Sequence, residues 1–312
     1  MSKILAVFGA TGQQGSSVVD YVLNDAELSQ MFKIRAITRD VNSDKAKQLK
    51  EKVEVVQGDF LDRNSLEKAL HDVHTVFAMT TPFGPGGFAN EYENGKTIAD
   101  VAVSQGASYI IFSTLPPVNE ISGGKYTHVT PFDAKAKIEQ YIRSLNIKSA
   151  FYSPGSFMEN FQVQAFLAPR EGPDGTWVMA RHTSPQTQMP LIDAVGDTGK
   201  FVGAILAEPD KYQGKTFCAA QALYSMKEVV TIMSRATGKT VVYKQVPLEE
   251  FRESLSFLGP LCDIFIEAYS YGEEYGYYGP ESEKLISWAA ENARGKLASL
   301  EEYFERHPLQ LA

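Results

Sequence analysis

The sequence predicts an α/β fold, a doubly wound parallel sheet with helices on both faces, followed by a smaller, irregular α+β lobe. Three observations carry this. Short β-branched runs alternate with amphipathic stretches of helical length through the first half of the chain. The strand runs are continuously apolar, as expected where helices cover both faces of a parallel sheet. After about Pro154 the alternation stops and loop-forming clusters take over.

In chain order, strands are expected near Ile4–Phe8, Lys33–Thr38, Val53–Gln57, Thr75–Met79, Tyr109–Ser113 and Ser149–Ser153. Helices are expected near Gln13–Asn24, Asp44–Lys50, Arg63–Leu70, Asn90–Gln105 and Pro131–Leu145. Residues 1–155 are read as the sheet domain and 156–312 as the second lobe. That lobe opens with the turn-rich Pro169-Arg170-Glu171-Gly172-Pro173-Asp174-Gly175 and Ser184-Pro185. It still contains a well-signalled helix: Ser225 with Glu228 three residues on forms a reciprocal cap, and Gly238 ends the run.

Composition narrows the function classes. With 312 residues, 44% hydrophobic and 22% charged, the chain is an ordinary globular one with a large core. No apolar run approaches the roughly 20 residues of a membrane span, and Met1–Ala10 is too short for a signal peptide. A cytoplasmic location, extending to the nucleus, is expected. Cys218 and Cys262 show no metal or disulfide spacing and are read as buried filler, and the five histidines are scattered, so no metal site is expected. Thirty basic residues against 38 acidic ones, a net charge of −8, argue against direct nucleic-acid binding.

The strongest motif is Gly9-Ala10-Thr11-Gly12-Gln13-Gln14-Gly15, between the first strand and the first helix. Glycines there permit a tight turn and let backbone amides and the helix's positive end approach a pyrophosphate. This is the signature of a Rossmann-type dinucleotide site, spaced Gly-x-x-Gly-x-x-Gly. At the end of the second strand Arg39 stands where an NADP 2′-phosphate would arrive, so NADP(H) is the expected cofactor. Asp40 beside it either pairs with Arg39 or repels a phosphate. Asp59, in Gly58-Asp59-Phe60, is either an adenine contact or a plain turn residue.

These segments, together with Phe132-Asp133-Ala134-Lys135 and Pro154-Gly155-Ser156-Phe157-Met158-Glu159-Asn160-Phe161, resemble the NmrA-like family of atypical short-chain dehydrogenase/reductases. The likeness is densest up to about residue 165. It implies that Gly9, Thr11, Gly12, Gln13, Gln14 and Gly15 form the phosphate loop, that Arg39 meets the 2′-phosphate, and that Asp59 and Phe60 line the adenine pocket. It further implies that Thr80 and Thr81 pass beneath the ribose and nicotinamide, that Lys135 bonds the nicotinamide ribose, and that Pro154, Gly155, Ser156 and Phe157 border the nicotinamide. The family holds both NADP(H)-binding regulators that act through protein partners, transcription factors included, and working NADPH-dependent reductases.

Short-chain reductases place a proton-donating Tyr four residues before the Lys, on the same helix face. Here that position is Pro131. Thr130, Pro131 and Asp133 are expected at N-cap, N1 and N3 of the helix. Tyr126 and His128, in the preceding loop, are candidates to swing in. Lys135 is the single candidate catalytic residue; its alternative reading is a surface pair with Glu139, worth about 0.2–0.5 kcal/mol. Losing a general acid costs a carbonyl reduction about 10²–10⁴ in rate.

Three Gly-Lys-Thr matches, at Gly95, Gly214 and Gly238, lack the upstream glycine of a P-loop, which is Asn90, Pro209 or Met233 instead. The aromatic run Tyr269–Tyr278 is read as a lid or partner surface, or as packing on its own lobe with wetted hydroxyls. The loop Pro82–Phe88 is expected to be a flap that orders with the cofactor. The resulting expectation is an NADP(H)-binding, redox-sensing regulator with a protein partner such as a transcription factor. The alternative is an NADPH-dependent reductase of a small quinone-like or aromatic carbonyl substrate. Neither a membrane nor a nucleic acid is an expected partner; a homodimer is compatible with both readings.

Overall fold

The computed structural model describes residues 2–82, 90–164 and 166–311. The first half alternates as β1 (Lys3–Phe8), α1 (Gln13–Asn24), α2 (Leu28–Met31), β2 (Phe32–Thr38), α3 (Asp44–Lys50), β3 (Glu54–Gln57), α4 (Arg63–Ala69), β4 (Thr75–Ala78) and α5 (Glu91–Ser104). It continues through β5 (Tyr109–Ser113), α6 (Val118–Ile121), α7 (Thr130–Ser144) and β6 (Lys148–Pro154). The second half follows with β7 (Ser156–Phe157), α8 (Asn160–Val163), β8 (Arg170–Glu171), β9 (Trp177–Arg181), β10 (Gln188–Ile192), α9 (Ala194–Ala207), β11 (Thr216–Ala219), β12 (Ala222–Ser225) and α10 (Met226–Thr237). It closes with β13 (Val241–Gln245), α11 (Leu248–Ser254), α12 (Leu261–Tyr275), α13 (Ser282–Glu291) and α14 (Leu300–Arg306).

The central sheet has the order β11-β6-β5-β4-β1-β2-β3, with every pairing parallel. Because side chains alternate along a strand, β1 feeds two cores. Leu5 and Val7 pack with Val18 and Val19 of α1 and Phe201, Val202 and Ile205 of α9. Ala6 and Phe8 pack with Leu66 of α4, Ile98 of α5, and Ile138 and Ile142 of α7. The six expected strands form this sheet, and an additional edge strand, β11, joins it from the second half of the chain.

Two small sheets, β12-β10-β7 and β13-β9-β8, build the rest of that half. Its core gathers Met158, Trp177, Met179, Leu191, Met233 and Tyr303. The reciprocal cap of Ser225 and Glu228 forms as expected, and Gly238 closes α10 at φ +67°. The start of α7 differs from expectation: the helix begins at Thr130 with Val129 as N-cap and no side-chain cap. Asp133 is engaged elsewhere, accepting the Asn119 N–H of α6 at 3.0 Å. Burial pushes its carboxyl above the usual range.

Candidate functional site

In the central sheet β1 lies between β2 and β4, so the chain's winding reverses there. At such a switch point the loops leave in opposite directions and open a crevice at the carboxyl ends of the strands. The glycine segment sits at this point. Gly9 turns with φ +64°, and its carbonyl accepts the Gly12 N–H at 2.8 Å. Gly12 starts α1 without a side-chain cap. The first-turn amides of Gln13, Gln14 and Gly15 therefore have no acceptor within the helix. A Cβ on Gly15 would stand 2.2 Å from the Gly9 oxygen and 2.7 Å from the Ala10 nitrogen, so only glycine lets the helix start this close to the strand. Gln14 is tied to the end of β5, its Oε1 accepting the Ser113 hydroxyl at 2.7 Å. The fit to a diphosphate is thus good: donors, helix polarity and a backbone cradle that a Cβ would fill.

Two cations, Arg39 and Lys45, stand near this cradle among the described residues. Arg39 is exposed at the end of β2 and makes no ion pair among the described residues. Asp40 does not neutralise it: its Oδ1 accepts the Asn42 N–H at 2.8 Å. Lys45 of α3 reaches back so that its Nζ lies 3.5 Å from the Thr11 oxygen. Asp59 uses Oδ1 on the Leu61 N–H at 3.0 Å, a turn role, while Phe60 beside it is half-buried.

At the end of β4 the Lys135 side chain is 12% exposed and leans on Thr80, its Nζ donating to the Thr80 oxygen at 2.8 Å and to Oγ1 at 2.9 Å. It also donates to Oε1 of Glu91, which in turn accepts the Thr80 hydroxyl at 2.7 Å. Glu91 is fully buried. Burial pulls the Lys135 ammonium below its ordinary range, opposed by the Glu91 charge. The alternative surface pairing of Lys135 with Glu139 does not form: Glu139 holds Arg143 at 2.7 Å and the Thr216 hydroxyl at 3.2 Å. Thr81 follows Thr80 at the same strand end. Of the expected flap, all but Pro82 lies outside the described residues.

The other wall is the β6–β7 junction. Gly155 donates its N–H to the Ala219 oxygen at 2.9 Å, and a Cβ there would stand 2.6 Å from the Pro190 oxygen. Pro154 closes β6, while Ser156 and Phe157 pair with Leu191 and Ile192. Of the aromatic run, read as a lid, a partner surface or packing on its own lobe, Tyr269 packs on its own lobe against Phe251, whereas the far end departs from that packing. The Tyr278 hydroxyl donates to the Ser153 oxygen at 2.7 Å and that of Tyr277 to the Pro154 oxygen at 3.4 Å, so both reach across to the central sheet. Tyr126 and His128 are held against α12 and are not free to swing in. Tyr126 donates to Glu274 Oε2 at 2.8 Å, and both the backbone and ring nitrogens of His128 lie on Glu267.

Glu91 and Lys45 escaped the sequence reading. Lys45 sits in a lysine-rich stretch that marks no one residue. Glu91 had a signal: with Gly95 and Ile98 it falls on the apolar stripe of α5, where a carboxylate demands a buried partner. A separate recess of about 840 Å3, lined by Lys3, His74, Tyr109 and Lys148 among others, lies at the opposite, amino-terminal end of the strands. Among the described residues no cluster of three metal-ligating side chains occurs, and no helix is long and apolar enough to cross a membrane.

Comparison with known proteins gives three findings. The model of the NmrA-like family matches residues 1–304. An NmrA-like family domain-containing protein of Dictyostelium discoideum is 30% identical over 314 residues, covering 98% of both chains, and the oxidoreductase FrzB of Cladobotryum sp. is 30% identical over 79% of this chain and 77% of its own. Among solved structures, the negative transcriptional regulator NmrA in complex with NADP superposes with a TM-score of 0.82 at 23% identity, over 99% of this chain and 95% of that one. Family model and full-length relative agree with the glycine cradle and the strand order: the chain belongs to the NmrA-like family.

Proposed function

We propose that this protein binds NADP(H) at the carboxyl ends of β1, β2, β4 and β6 and acts as a redox-sensing regulator through protein partners. The amides of Gln13, Gln14 and Gly15 would hold the diphosphate, with Gly9, Thr11 and Gly12 forming the cradle. Arg39 would meet the 2′-phosphate, with Lys45 as a second cation. Asp59 and Phe60 would border the adenine, Thr80, Thr81 and Lys135 the nicotinamide ribose, and Pro154, Gly155, Ser156 and Phe157 the nicotinamide. The bound cofactor supplies hydride chemistry; the chain supplies orientation and charge.

One observation carries the regulator over the enzyme. Pro131 stands where a tyrosine would donate a proton, and Lys135 is engaged with Glu91 and Thr80 rather than with any phenol. A carbonyl reduction would lack its positioned acid. A second reading, an NADPH-dependent reductase of a small quinone-like or aromatic carbonyl compound, is favoured by relatives named oxidoreductases. Quinones suit it because they draw the hydride with less help from an acid. Steady NADPH oxidation with a panel of quinones and aldehydes, abolished by K135A, decides for the reductase. An inert protein whose capture of partners changes with NADP(H) occupancy decides for the regulator.

A further inference from the structure

Glu91 is buried to 0% exposure at the first turn of α5, and its contacts converge on one cation. Oε1 takes hydrogen bonds from Lys135 Nζ and Thr80 Oγ1, and Nζ is also bound by both oxygens of Thr80. We infer that Glu91 is the positioning residue of the nucleotide site: it fixes the Lys135 side chain at the end of β4 and supplies the countercharge that keeps its ammonium charged there. The inference rests on the reading that Lys135 meets the nicotinamide ribose.

As a stability device the pair has little to offer, because the cost of stripping water from two charges offsets most of their attraction. What it provides is a cation held in one place. Burial draws an enclosed ammonium toward shedding its proton, and the Glu91 carboxylate in contact opposes that tendency. Among the described residues no other titratable group does this for Lys135. On α7 itself Asp133 is turned to Asn119 and Glu139 to Arg143, while Lys137 carries the same sign as Lys135. On α5 Asp100 is taken by Lys96 and Tyr141. The end of β4 brings Thr80, and Thr114 after β5 brings a hydroxyl onto the Lys135 carbonyl. The second oxygen of Glu91, Oε2, is buried with no hydrogen-bond partner among the described residues.

The test is NADPH affinity by calorimetry between about pH 7 and 9.5, above the phosphate's own second ionisation near 6. Wild type loses affinity only where its own Lys135 ammonium, drawn down by burial and held up by Glu91, gives up its proton. E91Q keeps the shape and removes the charge, so its affinity begins to fall at a pH lower by about 1–3 units, leaving binding about ten-fold or more weaker than wild type at pH 9. E91Q/K135R is flat, because a guanidinium does not titrate there. A packing role alone would weaken E91Q equally at every pH and would not be corrected by K135R; either result overturns the inference. Should E91Q fail to fold, the wild-type Lys135 ammonium, identified by NMR through the signal lost in K135R, must remain protonated at pH 8, and finding it neutral is equally fatal. K135A separates the two levels. If it binds NADPH like wild type, the ribose reading fails and this inference with it. If it binds weakly while E91Q follows the wild-type pH profile, the inference alone fails.

Discussion

Replacing Gly15 by alanine would set a methyl carbon 2.2 Å from the Gly9 oxygen, 2.4 Å from the Gly9 carbonyl carbon and 2.7 Å from the Ala10 nitrogen. All three are backbone atoms of a turn whose own geometry, φ +64° at Gly9, leaves little slack. Restoring ordinary contact requires the start of α1 to move by roughly 1 Å away from β1, and overpacking of this kind costs about 1–3 kcal/mol. At about 2.1 cal/mol/K of unfolding entropy per residue, a 312-residue chain loses about 1.5 °C of Tm per kcal/mol, hence about 1.5–4.5 °C. On the proposed reading the same displacement would pull the Gln13, Gln14 and Gly15 amides off the diphosphate and weaken NADPH binding. Gly12 is the control. A Cβ there comes to 3.3 Å from the Gly9 oxygen, a contact a small adjustment relieves, on an exposed residue with φ −100°. G12A should therefore keep Tm within about 1 °C while still weakening NADPH binding, since on the proposed reading the added methyl would face the diphosphate. Calorimetric melts and NADPH titrations on both variants check this. G15A with wild-type Tm and affinity would refute the argument that the loop's spacing exists to bring helix and strand backbones together.

Three further outcomes are expected. Y278F removes the hydroxyl that the Ser153 carbonyl accepts in a buried place, costing about 1–3 kcal/mol and several degrees of Tm, with the m-value unchanged. S225A dismantles the reciprocal cap of α10 and costs about 0.5–2 kcal/mol in denaturant unfolding. The Arg294 hydrogen bond holds the Asp25 carboxyl below its usual range. A depressed native pKa means the unfolded chain binds the proton first, so this contribution is complete above the ordinary carboxylate pKa and fades as pH falls through the native one. D25N should destabilise at pH 7 and match wild type in acid below that window; an equal gap at both pH values would count against the pair.

The strands of the central sheet were legible because buried parallel strands are written as unbroken apolar runs, as in Leu5–Phe8 and Tyr109–Ser113. The glycine loop was legible because Gly15 is held to glycine by backbone collisions and Gly9 by its left-handed φ. The strand β11 was not: Thr216–Ala219 is four residues long and finds β6 across more than sixty residues of chain. The helix α9 packs on α1 through Gly199 and Gly203, where a Cβ would stand 2.3–2.4 Å from Tyr21, and such a small-residue face carries no amphipathic contrast. At the site, the missing tyrosine could be counted from Lys135, but its actual partner could not. Glu91 lies 44 residues away, on a helix start where acidic residues are ordinary. The pairing of Tyr277 and Tyr278 hydroxyls with the end of β6 is likewise a contact across more than 120 residues, beyond the reach of any local pattern.

The central claim is that the cradle at α1 and the guanidinium at the end of β2 together select a phosphorylated dinucleotide. Isothermal titration of the purified protein with NADPH and NADH, repeated on R39A, measures it. Both nucleotides should bind, NADPH more tightly, and that preference should collapse in R39A while NADH affinity stays unchanged. Absence of heat with either nucleotide, or a preference untouched by R39A, would contradict it.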